Sequence, residues 1–68
     1  MNSDKNKFFS PEICPCCGKS IVDFYGVCEI CGWENDTYQS AHPDYSGGAN
    51  RMSLNEAKVA YSQGKKVY

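Results

Sequence analysis

Cys14-Pro15-Cys16-Cys17-Gly18 followed by Cys28-Glu29-Ile30-Cys31-Gly32 is the pair of segments that decides how this chain folds. Each is a Cys-x-x-Cys turn with glycine directly after its second cysteine. That spacing lets the chain reverse so tightly that both sulfurs face one point, while backbone N–H groups aim at them. Glycine in the following position supplies the positive φ such a reversal needs. Pro15 pre-sets the first turn. Ten residues, 18 to 27, separate the two pairs. Ile21-Val22-Asp23-Phe24-Tyr25 reads as a strand, Gly26 as a break and Val27-Cys28 as the start of a return strand. The predicted hairpin is long enough to bring the turns face to face. The product is a closed Cys₄ site of Cys14, Cys17, Cys28 and Cys31 around one Zn²⁺. All four ligands are thiolates and none is left to water, so the predicted zinc is structural and its binding energy is largely folding energy.

The need for such a staple follows from size. Sixty-eight residues allow one small domain, and a chain this short recovers a limited fraction of its surface on folding. The aliphatic core formers are few: Ile13, Ile21, Val22, Val27, Ile30, Leu54, Val59, Val67 and two methionines. Five cysteines, an odd number, speak for metal rather than disulfides in a reducing compartment. No apolar run approaches the roughly 18 residues that span a bilayer. The first ten residues are polar and carry no secretory h-region, so the expected location is the cytoplasm. Seven basic against eight acidic residues, net −1, make no electrostatic footprint for nucleic acid. Four thiolates plus Zn²⁺ carry −2, which moves the folded chain still further from that class.

Three other uses of the same cysteines are weighed against zinc. A thioredoxin-type redox pair needs a βαβ context and a helix N-terminus. Rubredoxin-like iron uses two similar knuckles, and two disulfides would need export. Cys16 is left over. It reads as a small buried hydrophobe facing away from the metal, with ligand exchange against Cys14, or an exposed oxidisable thiol, as the alternatives. His42, beside Pro43, reads as a loop cap rather than a ligand.

Around this centre the predicted architecture is a small metal-stabilised α+β fold. It is a zinc ribbon, two Cys knuckles on a β-hairpin, with an ordered loop and one C-terminal helix. Residues 1–10 are expected to be a flexible arm, with Phe8 and Phe9 either folding back as a lid or serving as a partner-binding tip. Residues 11–68 form the single domain. The loop, about 34 to 50, is expected to lack regular structure and to be pinned by Trp33, Tyr38 and Tyr45, at least two of them buried. Arg51 is expected to contact Glu34, Asp36 or Asp44. Gly47-Gly48 reads as a tight turn, with an anion-binding nest as the alternative. Ser53 lies three residues before Glu56, a capping box that opens a helix over about 53–64. Leu54, Ala57, Ala60 and Tyr61 share its inner face, and Gly64 is its stop.

Three motifs in order resemble the cysteine-rich CPCC family of small, mostly bacterial proteins. They are Cys14-Pro15-Cys16-Cys17-Gly18, then Cys28-x-x-Cys31-x-Trp33-Glu34-x-Asp36, then Pro43-Asp44-Tyr45-x-Gly47-Gly48-Ala49-Asn50-x-x-Ser53-Leu54-x-Glu56-Ala57. The resemblance covers Cys14 to about Tyr61. Departures are Glu29-Ile30 where the family commonly has Pro-Val, and Asn35 in place of a usual acid. Neither removes a ligand. The resemblance carries no settled biochemical role; some members stand beside toxin–immunity or mobile-element genes, which is association.

No catalytic set is visible: there is one histidine, no nucleophile is paired to it, and the metal site is closed. The expected function is therefore a non-enzymatic zinc-binding module for another protein. An immunity-type or mobile-element protein that neutralises a specific partner is one alternative. A nucleic-acid-binding ribbon using Lys58, Lys65, Lys66 and Arg51 is the other.

Overall fold

A computed structural model of the chain describes residues 12–68. The arm of residues 1–10, with Phe8 and Phe9, lies outside the described residues. The described residues form two short strands and two helices: β1 (Glu12–Ile13), β2 (Ile21–Val22), α1 (Thr37–Ala41) and α2 (Leu54–Ser62).

β1 and β2 pair antiparallel, Glu12 with Val22 and Ile13 with Ile21. The hairpin thus wraps the first knuckle instead of joining the two, which corrects the predicted pairing of 21–25 with 27–28. A second narrow ladder wraps the second knuckle, with Val27 bridged to Glu34. Between the ladders the chain turns sharply, the Gly26 amide donating to the Asp23 carbonyl at 2.9 Å. Tyr25 occupies this turn with φ of 55°, the left-handed region that a non-glycine residue seldom adopts.

The C-terminal helix is where the sequence places it. Ser53 caps α2, its hydroxyl accepting from the Glu56 amide at 3.1 Å while Glu56 Oε1 accepts from the Ser53 amide at 2.9 Å. Leu54, Ala57 and Ala60 are buried and Tyr61 packs against them. Together with Cys14, Val22, Cys28, Trp33 and Val67 they form the core. The strands contribute little to it. Ile13, Ile21, Val27, Ile30 and Val59 are all more than half exposed, so most of the expected aliphatic core lies on the surface.

The segment between Trp33 and Ser53 corrects the sequence in three ways. It contains α1, capped by Asp36, where no regular structure was expected. Of its three expected aromatic pins only Trp33 is buried, at 0% exposure, whereas Tyr38 is 51% and Tyr45 44% exposed. Arg51 is exposed and pairs with none of Glu34, Asp36 or Asp44 among the described residues.

The pin is polar instead. Gln39, fully buried, donates through Nε2 to the carbonyls of Tyr45, Asn50 and Met52 at 3.0–3.1 Å. Its Oε1 accepts from the Asn50 amide and from Asn50 Nδ2, both at 2.9 Å. Asn50 also straddles Glu34, accepting from its amide and donating to its carbonyl. Asp36 adds the other strut: Oδ1 accepts from the Tyr38 and Gln39 amides and Oδ2 from the Ala49 amide. Gly48 is glycine because of this clasp. A Cβ there would stand 2.7 Å from Asp36 Oδ2 and 2.9 Å from two Gln39 carbons. Close approach is the structural use of Gly48, while Gly47, with φ of 86° and open space around it, makes the tight turn the sequence predicts.

Candidate metal centre

The two knuckles are built alike, fourteen residues apart. The Gly18 amide donates to the Cys14 carbonyl and the Gly32 amide to the Cys28 carbonyl, each at 2.9 Å. Gly18 and Gly32 have φ of 71° and 93°, the positive values the sequence predicts. The Lys19 amide then reaches Cys17 Sγ and the Trp33 amide reaches Cys31 Sγ, each at 3.4 Å. In the second knuckle Cys28 Sγ also accepts from the Ile30 amide at 3.3 Å and the Cys31 amide at 3.5 Å. Amide N–H groups on sulfur stabilise thiolate over thiol, which is what a metal requires.

The folded ladders bring Cys14, Cys17, Cys28 and Cys31 together, all four Sγ atoms within 4.8 Å of one another. Across the knuckles, Cys14 Sγ lies 3.7 Å from Cys31 Sγ, and Cys17 Sγ 3.7 Å from Cys28 Sγ. Those separations are far too long for an S–S bond of about 2.05 Å. They match instead the edge of a tetrahedron whose centre is 2.3 Å from each corner, about 3.8 Å. The donor set thus fits a four-coordinate ion with soft ligands, and the group is able to hold a metal. Cys14 and Cys28 are buried in the core, whereas Cys17 and Cys31 are half-buried at the cluster's outer side.

The thiols respond to these surroundings differently. Burial pushes Cys16, Cys17 and Cys31 upward. Burial acts on Cys28 in the same direction, yet the Ser20 hydroxyl at 3.1 Å and the Cys31 and Ile30 amides outweigh it and bring that thiol down to about 6. Ser20 was not singled out in the sequence. Its position two residues past Gly18 carries no signal until the knuckles face each other.

Cys16 is not one of the four; it is half-buried, packs against the core and has its thiol beside that of Cys31. His42 also lies outside the group. It caps the C-terminus of α1, its backbone amide donating to the Tyr38 carbonyl and its ring Nδ1 lying 3.0 Å from the same oxygen. Trp33 is enclosed beside Cys14 and Cys28 in the core, and its indole Nε1 has no partner among the described residues. Asn35 and Asp36 are buried as well. The Trp33-Glu34-Asn35-Asp36 stretch is thus mostly interior.

The model of the cysteine-rich CPCC family matches residues 12–64, more than three quarters of the chain. No curated protein matches it. No helix among the described residues is long and apolar enough to cross a membrane. The chain belongs to the cysteine-rich CPCC family.

Proposed function

We propose that this CPCC-family chain is a zinc ribbon in which Cys14, Cys17, Cys28 and Cys31 hold one structural Zn²⁺, and that it serves as a non-enzymatic binding module for another protein. The observation that carries the metal reading is the pair of 3.7 Å separations across the knuckles, the edge length of a ZnS₄ tetrahedron. Zinc suits the site because it accepts tetrahedral thiolates without a preferred d-electron geometry or redox change. Filling all four positions with sulfur leaves no place for a catalytic water. Iron takes the same donors, and X-ray absorption on protein purified without added metal separates the two. A zinc edge with four sulfurs near 2.3 Å supports the assignment, and an iron edge overturns it.

The binding-module reading rests on what the fold leaves outside. A core this small leaves Ile13, Ile21, Phe24, Val27, Ile30 and Val59 each more than half exposed. Ile13 and Ile21 are cross-strand neighbours bounding one cleft beside the first knuckle. Apolar side chains on rigid ladders are economical interface material, because ordering them on binding costs little further entropy. The test is capture from lysate on immobilised zinc-loaded protein. The identified partner is then titrated in solution against the Ile13→Asp, Ile21→Asp double variant. Unchanged affinity of every captured protein would remove the ladder face from the reading.

A further inference from the structure

Tyr38 and Tyr45 present a problem of their own. The clasp of Gln39 and Asn50 already orders the loop, so neither ring is needed as a pin, and both are held at the surface in a fixed arrangement. Tyr38 stacks on His42 with ring centroids 4.1 Å apart and 18° between planes. Tyr45 stands across Tyr38 at 4.8 Å and 81°. These three rings, with Ala41, Pro43 and Asp44, line an open cleft of about 490 Å³. Among the described residues, no lysine or arginine lines it.

The walls are fixed from behind. Gln39 Nε2 holds the Tyr45 carbonyl at 3.0 Å, and the Tyr45 amide donates to the His42 carbonyl at 2.9 Å. From the first turn of α2, the Asn55 amide donates to the Pro43 carbonyl at 3.0 Å, and Asn55 Nδ2 holds Asp44 Oδ1 at 2.7 Å. That grip leaves Asp44 Oδ2 for a ligand. Aromatic faces set at a right angle beside a carboxylate give a cleft of one electrostatic sign, rich in electrons and preorganised.

We infer that the cleft of Tyr38, Tyr45 and Asp44 receives an arginine side chain of the partner. This deepens the binding-module reading and rests on it. A guanidinium fits better than an ammonium. It is planar, stacks on aromatic rings, is weakly hydrated, and still offers N–H groups to a carboxylate at its edge. A neutral apolar side chain would leave Asp44 without a partner on desolvation.

The test uses the full zinc-loaded chain and a capped pentapeptide carrying one arginine among glycines, followed by NMR. Two companion peptides carry glutamine or lysine in its place. The arginine peptide is expected to give saturable shifts confined to residues 38–45 and to Asn55, with a dissociation constant on the order of millimolar. The glutamine peptide is expected to give none and the lysine peptide to bind more weakly. Tyr45→Ala and Asp44→Asn should each weaken arginine binding about fivefold or more, and Tyr45→Phe should retain it. These side chains lie outside the core, so amide spectra of the variants should otherwise overlay the wild type. No saturable shift, equal shifts with glutamine, tighter binding of lysine, or binding indifferent to Tyr45→Ala would each overturn the assignment. Such failure leaves the module reading standing, because that reading is decided separately by the captured partner and the ladder variants.

Discussion

The two halves of the molecule order the same length of chain by opposite means. Residues 14–33 are organised by sulfur: four thiols converge, and the amides of Gly18, Lys19, Ile30, Cys31, Gly32 and Trp33 point at a sulfur or a knuckle carbonyl. Residues 34–53 are organised by two amide side chains and a carboxylate, which hold backbone groups directly. On the proposed reading the first half depends on an ion and should collapse as a unit without it, since two-residue strands bury few apolar side chains of their own. The second depends on complementary hydrogen bonds, each modest, none dispensable once buried. The difference teaches how a chain with few aliphatic residues inside replaces a core: one side with a cluster of thiols able to take a metal, the other with backbone-directed polar groups.

The comparison breaks most visibly at the metal. Binding by four thiolates is worth on the order of 10 kcal/mol in small zinc sites at neutral pH. A strong chelator, or Ser in place of Cys14, Cys17, Cys28 or Cys31, should therefore abolish cooperative unfolding in thermal melts. Cys16→Ser should keep both the melt and one metal per chain by native mass spectrometry. A Cys16→Ser variant that loses metal while Cys14→Ser keeps it would reassign the ligands.

On the polar side, Gln39→Leu fills similar volume but strands the carbonyls of Tyr45, Asn50 and Met52 and part of Asn50. An unsatisfied buried group costs about 1–3 kcal/mol, so a loss of roughly 3 kcal/mol or more is expected in urea unfolding of the metal-loaded protein. The metal stoichiometry should be unchanged. Gly48→Ala strikes the same clasp sterically, through the 2.7 Å approach to Asp36 Oδ2, and should cost about 1–3 kcal/mol. Loss of metal in either variant would show that the halves are one unit.

Acid sharpens the contrast further. Burial raises the Asp36 carboxyl, but the Ala49, Gln39 and Tyr38 amides and the Tyr25 hydroxyl outweigh it and hold it below the usual carboxylate range. A group depressed on folding contributes stability that is present in full above its unfolded value, about 3.9. That contribution is lost as pH falls through the folded value. The advantage of wild type over Asp36→Asn, measured in urea from pH 7 down to the lowest pH at which both proteins keep their metal, should therefore be full at neutral pH and shrink toward the acid end. Thiolate protonation is common to both proteins and cancels in the difference. An advantage independent of pH would contradict the role given to the charge.

The smallest effect is expected at Tyr25. Tyr25→Gly relieves the positive φ, worth roughly 1 kcal/mol, and gives up the 3.3 Å bond from its hydroxyl to Asp36 Oδ1, a term of similar size. The two should cancel to within about 0.5 kcal/mol. A large loss would mean that the tyrosine ring links the halves.

The same division explains what the sequence disclosed. The knuckles and the α2 capping box are local patterns, set by residues three or four apart, so cysteine spacing and Ser53–Glu56 are legible without a structure. The clasp is not local: Gln39 meets Asn50 across eleven residues, and a glutamine ordinarily signals a solvated surface. Aromatic residues were the natural expectation for a pin, and Tyr38 and Tyr45 were misread on that ground. Asp36 as a helix cap and the second glycine of Gly47-Gly48 were the available clues, one marking a helix start and the other a close approach. The aliphatic residues misled for a different reason: two-residue ladders have almost no inner face, so Ile13, Ile21 and Val27 had nowhere to turn.

Trp33 gives the chain an optical property. It is the sole tryptophan, wholly enclosed, with its amide on Cys31 Sγ and its indole N–H facing no acceptor among the described residues. An indole in so dry a setting emits at short wavelength and shifts to the red when water reaches it. Because the residue that closes the second knuckle is also the chromophore, loading and loss of the proposed ion should change the emission colour. If the proposed ion binds, the protein would carry its own label-free gauge of metal occupancy, readable in a cuvette without dye, tag or substitution.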